Sequence, residues 1–249
     1  MNDERQIAFV FGCSRSGTTA LTRLLNLHPE VAIGFERFAK LAKSGQLSPD
    51  LFEAGRFADF RPEDSFWGET GWADTPWRQK VLDRYAGARI VGDKLPQLAG
   101  QMDQLQRFPG AKVIFIVREP LGVAKSFNTR AMNPRDAWRP ERDWRASVTE
   151  FNRAMADMDA LVRAGTHETL VVNYNTVFDS PSEHRRLYEF LGVDPALAEA
   201  PTAITDYAAK LREDRPLADL VEHLMMTVDF RRFRALIRTG RQQARAFGS

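Results

Sequence analysis

Cysteine is almost missing from the 249 residues: Cys13 stands alone, so no disulfide can close within the chain. No run of about 18 apolar residues occurs, which excludes a membrane-spanning helix of ordinary length. A surplus of one charge is lacking too. Thirty-five basic side chains face 33 acidic ones, a formal +2, too even for a protein whose main partner is a nucleic-acid backbone. Any anion site is therefore local. The opening Met-Asn-Asp-Glu-Arg runs into a strand-like segment and not into a basic, then apolar, secretory leader. With a single cysteine, that start reads as a cytoplasmic chain. Internal repeats, low-complexity tracts and linkers are also absent.

What is present is an ordinary globular composition, 43% hydrophobic and 27% charged, able to bury a sizeable core. At roughly 150 residues per domain the length allows one or two domains, and a doubly wound α/β domain commonly fills it alone. The expectation is a single domain over 1–249. Apolar β-prone runs at Ile7–Phe11, Val31–Gly34, Ala88–Gly92, Lys112–Val117 and Thr169–Asn173 predict five strands. Helical spacing predicts helices over Thr18–Leu27, Trp77–Tyr85, Gln97–Phe108, Leu121–Arg130, Glu141–Arg163 and Pro181–Leu191. Such alternation, with nearly all-apolar strands, predicts an α/β fold of P-loop type. Its central parallel sheet of about five strands is covered by helices on both faces. Insertions near 47–77 and 133–144 and a C-terminal helical segment complete the plan.

Gly12-Cys-Ser-Arg-Ser-Gly-Thr-Thr19 lies between the first strand and the first helix. There, backbone N–H groups and the helix dipole can hold a phosphate. Its glycine spacing imitates the nucleotide-triphosphate loop, but Thr18 stands where that motif demands lysine, which removes support for triphosphate hydrolysis. The nearest positive charge is Arg15. A second anchor follows about a hundred residues later: the strand Lys112–Val117 ends in Arg118, then Pro120 suits the first turn of a helix that carries Ser126. An arginine fork with a hydroxyl suits a phosphate monoester, which carries nearly two negative charges.

Together these segments resemble the sulfotransferases that use 3'-phosphoadenosine 5'-phosphosulfate (PAPS), over about residues 7–191. Ser14-Arg-Ser-Gly-Thr-Thr19 resembles that family's 5'-phosphosulfate loop, with Arg15 where the family has lysine or arginine. Arg118 with Ser126 resembles its 3'-phosphate site. The resemblance implies that Ser16, Gly17, Thr18 and Thr19 hold the 5'-phosphate, that Arg15 neutralises the leaving oxygen, and that PAPS is the co-substrate, with 3'-phosphoadenosine 5'-phosphate (PAP) as product. It departs from the cytosolic branch, whose Arg-Lys-Gly and Gly-x-Trp motif has no counterpart here.

In a parallel sheet the ligand lies beyond the carboxyl ends of the strands. Glu36 and Arg37 follow the second strand, Asp93 and Lys94 the third, Arg118 the fourth, and Asn173 and Tyr174 the fifth. Sulfuryl transfer needs a base for the acceptor proton and positive charge on the bridging oxygen, and in principle no metal. Glu36 is the expected base, as in carbohydrate and protein sulfotransferases, whereas the cytosolic branch uses histidine. His28 reads as part of a helix end. Lys94, in Gly-Asp-Lys-Leu-Pro, resembles a family lysine near the sulfuryl group or acceptor, with Asp93 orienting the lysine or the acceptor; the other reading is an exposed pair in a turn. Arg37 either pairs with Glu36 or meets an anionic acceptor.

The aromatic group Phe52, Phe57, Phe60, Phe66, Trp67, Trp72 and Trp77 either lines an acceptor pocket or, for most of its members, packs the core. Arg130, Arg135, Arg139, Arg142 and Arg145, with Trp138 and Trp144, face either a ligand or solvent. Near the C-terminus Arg231, Arg234, Arg238, Arg241 and Arg245 fall on one helical face, with Phe230, Phe233, Leu236 and Ile237 nearby; the stripe either touches anionic lipid or the cofactor's phosphate, or belongs to a surface helix docked by its apolar side. The expected partner is a hydroxyl-bearing acceptor: a glycan, a glycolipid or a secondary metabolite, and not nucleic acid. The rival expectations are a P-loop kinase and a non-catalytic nucleotide-binding module.

Overall fold

The strands β1 (Gln6–Phe11), β2 (Val31–Phe35), β3 (Ile90–Lys94), β4 (Lys112–Val117) and β5 (Glu168–Asn173) form one sheet in the order β2-β3-β1-β4-β5. Every neighbouring pair is parallel, as expected from the apolar strands. The structure, a computed structural model, describes residues 5–66, 76–136, 138–201 and 218–247.

Alternation along each strand divides the core by face. Phe9, Phe11, Ala32, Val113, Phe115 and Val117 point to one side. Ala8, Val10, Ile33, Ile114 and Ile116 point to the other. The second face is covered by α1 (Thr18–Leu25) and α8 (Pro181–Leu191) through Leu21, Leu24, Leu25 and Leu187. The first is covered chiefly by α5 (Pro120–Ala131), α6 (Trp144–Ala164) and the 47–66 segment, which contains α3 (Ala54–Ala58). Short α2 (Ala39–Lys43), α4 (Pro76–Tyr85) and α7 (Tyr174–Val177) complete the connections. The helix α6 starts at Trp144 because the Asp143 side chain caps it, accepting from the N–H groups of Arg145 and Ala146.

Two sequence expectations shift. The third strand runs Ile90–Lys94 and not Ala88–Gly92. Pairing with β1 and β2 on both sides continues through Asp93 and Lys94, so these two charged residues are buried in the strand end and not exposed in a turn. The helix expected over Gln97–Phe108 is replaced by two 3-10 segments, Pro96–Leu98 and Met102–Arg107. Gly100, at φ +78°, breaks the helical path between them.

The last helices are α9 (Ala218–Thr227) and α10 (Phe230–Phe247). Phe233, Leu236 and Ile237 of α10 pack on the core. Its Gln243 covers the free edge of β5: Nε2 donates to Thr169 O at 2.7 Å, and Oε1 accepts from Val171 N at 2.8 Å. The side-chain amide thus replaces a sixth strand where an open edge would invite pairing with another chain.

From β1 the chain moves to β2, returns to β3 beside β1, then crosses to β4 on the opposite side of β1. That reversal puts the carboxyl end of β1 at the crevice where open parallel sheets hold ligands.

Candidate functional site

The loop after β1 turns back on itself through Ser16 N, which donates to Cys13 O at 3.0 Å. Gly17 then starts α1 at φ +98°, and a Cβ there would sit 2.6 Å from the Tyr174 ring. Glycine is required twice, by the left-handed backbone and by the close ring. The first N–H groups of α1, from Thr18 onward, point out of the helix with no intrahelical acceptor. Thr18 is buried and Thr19 exposed. Directly before them the Ser16 hydroxyl is buried without a hydrogen-bond partner among the described residues. An orphaned hydroxyl in front of a helix N-terminus is a donor set suited to a phosphate oxygen.

Arg118 leaves the end of β4 and is 5% exposed. Its guanidinium donates to Arg15 O at 3.1 Å and lies over the Tyr174 ring, 4.3 Å from the centroid. Its Nε has no hydrogen bond among the described residues and only a looser ion pair with Glu119 Oε1 at 3.6 Å. Ser126, one helix face along α5, accepts from Arg15 Nε at 3.0 Å. The two segments that sequence spacing singles out therefore touch. Their unsatisfied donors, Ser16 Oγ and Arg118 Nε, fit a ligand with two phosphate groups.

On the other side of β1, Glu36 follows β2 with a left-handed φ of +62°, uncommon for a side chain larger than glycine. Its carboxylate pairs with Lys94 Nζ and accepts from Gln97 Nε2 at 2.8 Å. Burial pushes the Glu36 carboxyl up, but the Lys94 ammonium and the hydrogen bonds from Lys94 and Gln97 outweigh it and hold the group below its ordinary value. Gln97 was not foreseen from sequence; its one signal is its place after Pro96 in Lys-Leu-Pro-Gln.

Asp93 does not orient the Lys94 side chain. Fully buried, it accepts from Phe38 N at 2.9 Å and from Lys94 N at 2.9 Å, and so ties the backbone after β2 to β3. Burial pushes its carboxyl up to about 7.

Arg37 does not pair with Glu36. It is fully buried, pairs with Asp64 at 2.7 Å and donates to Phe57 O and Asp59 O. Its aliphatic and planar surfaces are covered by Phe38, Phe57 and Phe60. His28 is also structural: one ring nitrogen contacts Asp194 O at 2.8 Å and the other accepts from Glu30 N. Phe52 and Phe57 are core, Phe60 and Trp77 are partly buried against it, and Phe66 is exposed. Trp67 and Trp72 lie outside the described residues. In the second insertion Arg130 pairs with Asp136, Arg142 with Glu150, and Arg145 with Asp143. These three arginines are held by the protein's own carboxylates.

Residues 8–196 match the profile described as "Sulfotransferase family", and the chain belongs to that family. It is similar to the nodulation protein NoeE of Sinorhizobium fredii (strain NBRC 101917 / NGR234), 26% identical over 214 residues. That match covers 76% of this chain and 51% of NoeE, so the chain spans about half the length of this curated relative. Among solved structures, the sulfotransferase domain from the curacin biosynthetic pathway superposes with a TM-score of 0.50 at 15% identity, covering 90% of this chain and 98% of that one. Mouse sulfotransferase SULT7A1, complexed with PAP, gives 0.43 at 16% identity, covering 87% and 69%. At 15% identity the likeness to the curacin-pathway domain is one of fold.

Proposed function

We propose that the chain transfers the sulfuryl group of PAPS to a hydroxyl acceptor. The observation that carries this reading is the meeting of two candidate anion-binding segments 111 residues apart at Arg15 and Ser126, with a buried donor on each side that has no hydrogen-bond partner among the described residues. A triphosphate has no 3'-phosphate to use the second segment.

PAPS supplies a sulfuryl group already joined to a leaving phosphate. The α1 N–H groups with Ser16, Thr18 and Thr19 hold the 5'-phosphate, and Arg118 with Ser126 holds the 3'-phosphate. Glu36 takes the hydroxyl proton as the acceptor oxygen bonds to sulfur, while Arg15 neutralises the charge arriving on the departing phosphate oxygen. The Glu36–Lys94 pair couples these events. When Glu36 accepts the proton its charge disappears, and Lys94 is left with an uncompensated positive charge beside the reacting group. The lowered Glu36 pKa keeps the base ionised at neutral pH, at some loss of basicity.

The neighbouring strand ends sort the substrates. Sheet strands lie about 4.8 Å apart, so Glu36 on β2 stands roughly 10 Å from the β1 loop, with Lys94 of β3 between. Acceptor chemistry thus falls over β2 and β3, and nucleotide binding over β1 and β4.

The test is thermal stabilisation by PAP, beside the same nucleotide without its 3'-phosphate and beside ATP with Mg²⁺. Ligand at about a hundred times its dissociation constant adds close to 2.7 kcal/mol to the folded state. A shift specific to the 3'-phosphorylated nucleotide is expected; a shift only with ATP and Mg²⁺ would overturn the reading in favour of phosphoryl transfer.

A further inference from the structure

One sequence feature has no part in the sheet-edge site. Arg231, Arg234, Arg238, Arg241 and Arg245 of α10 are all exposed. On ideal helix geometry they fall within an arc of about 80° and along about 21 Å of axis. Among the described residues none of the five makes an ion pair, whereas Arg232, off the ridge, pairs with Asp159 and Asp229. The helix holds six arginines and no acid, so the rest of the chain carries 29 basic against 33 acidic side chains. The near-neutral total conceals a strong asymmetry: a basic ridge on a net acidic body.

The opposite side of α10 is occupied. Phe233, Leu236 and Ile237 pack on the core and Gln243 is bonded to β5, so the ridge is held facing outward. The preceding helix, α9, leaves Met225 and Met226 at 70% and 81% exposure, a few residues before the first of these arginines.

We propose that the outer face of α10 docks the protein on an anionic lipid bilayer. Each arginine near such a surface is attracted to the acidic headgroups, and the charge asymmetry orients the molecule with α10 toward them. The two exposed methionines favour lipid over a nucleic-acid backbone, because long apolar side chains gain by entering the headgroup and acyl boundary. A nucleic-acid backbone uses the arginines alone. No helix among the described residues is long and apolar enough to cross a membrane, so the attachment is peripheral and reversible.

The experiment is sedimentation of the full chain with vesicles of phosphatidylcholine alone and with about 30% phosphatidylglycerol, at rising NaCl. The protein is expected to sediment with the anionic vesicles only, and to be released by salt. The triple variant Arg234→Gln, Arg238→Gln, Arg241→Gln should bind at least about tenfold more weakly, with an unchanged melting temperature and unchanged PAP binding. Met225→Ser with Met226→Ser should weaken binding further. Equal sedimentation with neutral vesicles, or undiminished binding by the triple variant, overturns the proposal. So does retention by duplex DNA with none by vesicles, which would reassign the ridge to nucleic acid.

Discussion

Arg15 donates from Nε to Ser126 Oγ at 3.0 Å, and so joins the loop after β1 to the helix after β4. Arg118 reinforces the junction by donating to Arg15 O. Replacing Ser126 by alanine removes a hydroxyl that serves both Arg15 and, in the proposed complex, the 3'-phosphate. Affinity for PAP is expected to fall about tenfold, the value of one hydrogen bond to a charged group. Affinity for the nucleotide lacking the 3'-phosphate should change little. Calorimetric titration of both ligands checks the difference.

Glu36→Gln keeps the shape of the base and removes its proton affinity. Turnover should drop about 10²- to 10⁴-fold, with PAP binding unchanged. A non-catalytic module would show no turnover to lose.

Gln97 donates to Glu36 and favours its ionised form. Gln97→Leu is therefore expected to raise the Glu36 pKa. The acid limb of the pH profile of kcat/KM should move to higher pH, while PAP affinity stays the same. A uniform fall in rate with no shift of the limb would mean that Gln97 only fills space.

Asp93 reverses the usual sign of a carboxylate's pH dependence. Its folded pKa, about 7, lies above its ordinary value. The folded protein therefore holds this proton more tightly than the unfolded chain, and the stability due to Asp93 declines as pH rises between those two values. Asp93→Asn should be destabilised overall, since one of the two N–H groups at Phe38 and Lys94 loses its acceptor. It should also lack this component of the decline. Urea midpoints for both proteins across that pH range measure it.

Arg37→Met leaves Asp64 buried with Arg56 and the Arg61 N–H as its remaining partners. Removing one side of a buried ion pair costs about 3 kcal/mol or more. A lower denaturation midpoint is expected, with the turnover of the remaining folded protein retained. A selective loss of turnover without loss of stability would return Arg37 to the acceptor site.

Several features were legible in the sequence because they rest on local rules. The strand Lys112–Val117 is a continuous apolar run, and its end places Arg118 on the ligand side of any parallel sheet. Pro120 and the helical pattern after it carry Ser126 to the same region. The Gly17 turn was visible as a glycine before a helix. Other features were not legible. Asp93 and Lys94 look like surface charges until β1 and β2 are known to flank them. Gln97 was hidden in an expected helix that Gly100 prevents. The Arg37–Asp64 pair spans 27 residues whose path no periodicity records.

The sequence by itself determined the order of the strands, the parallel sheet and the two segments proposed to bind anions. These follow from hydrophobic period, glycine and proline positions and charge at strand ends, all properties of neighbouring residues. Only the tertiary structure decided which charges lie at the sheet edge and which are spent inside. It paired Glu36 with Lys94 and Gln97, buried Arg37 on Asp64, and held the arginine ridge of α10 outward by packing its opposite side. Burial and partner choice depend on segments far apart in the chain, and a charged side chain is driven to a partner by the cost of leaving it buried alone.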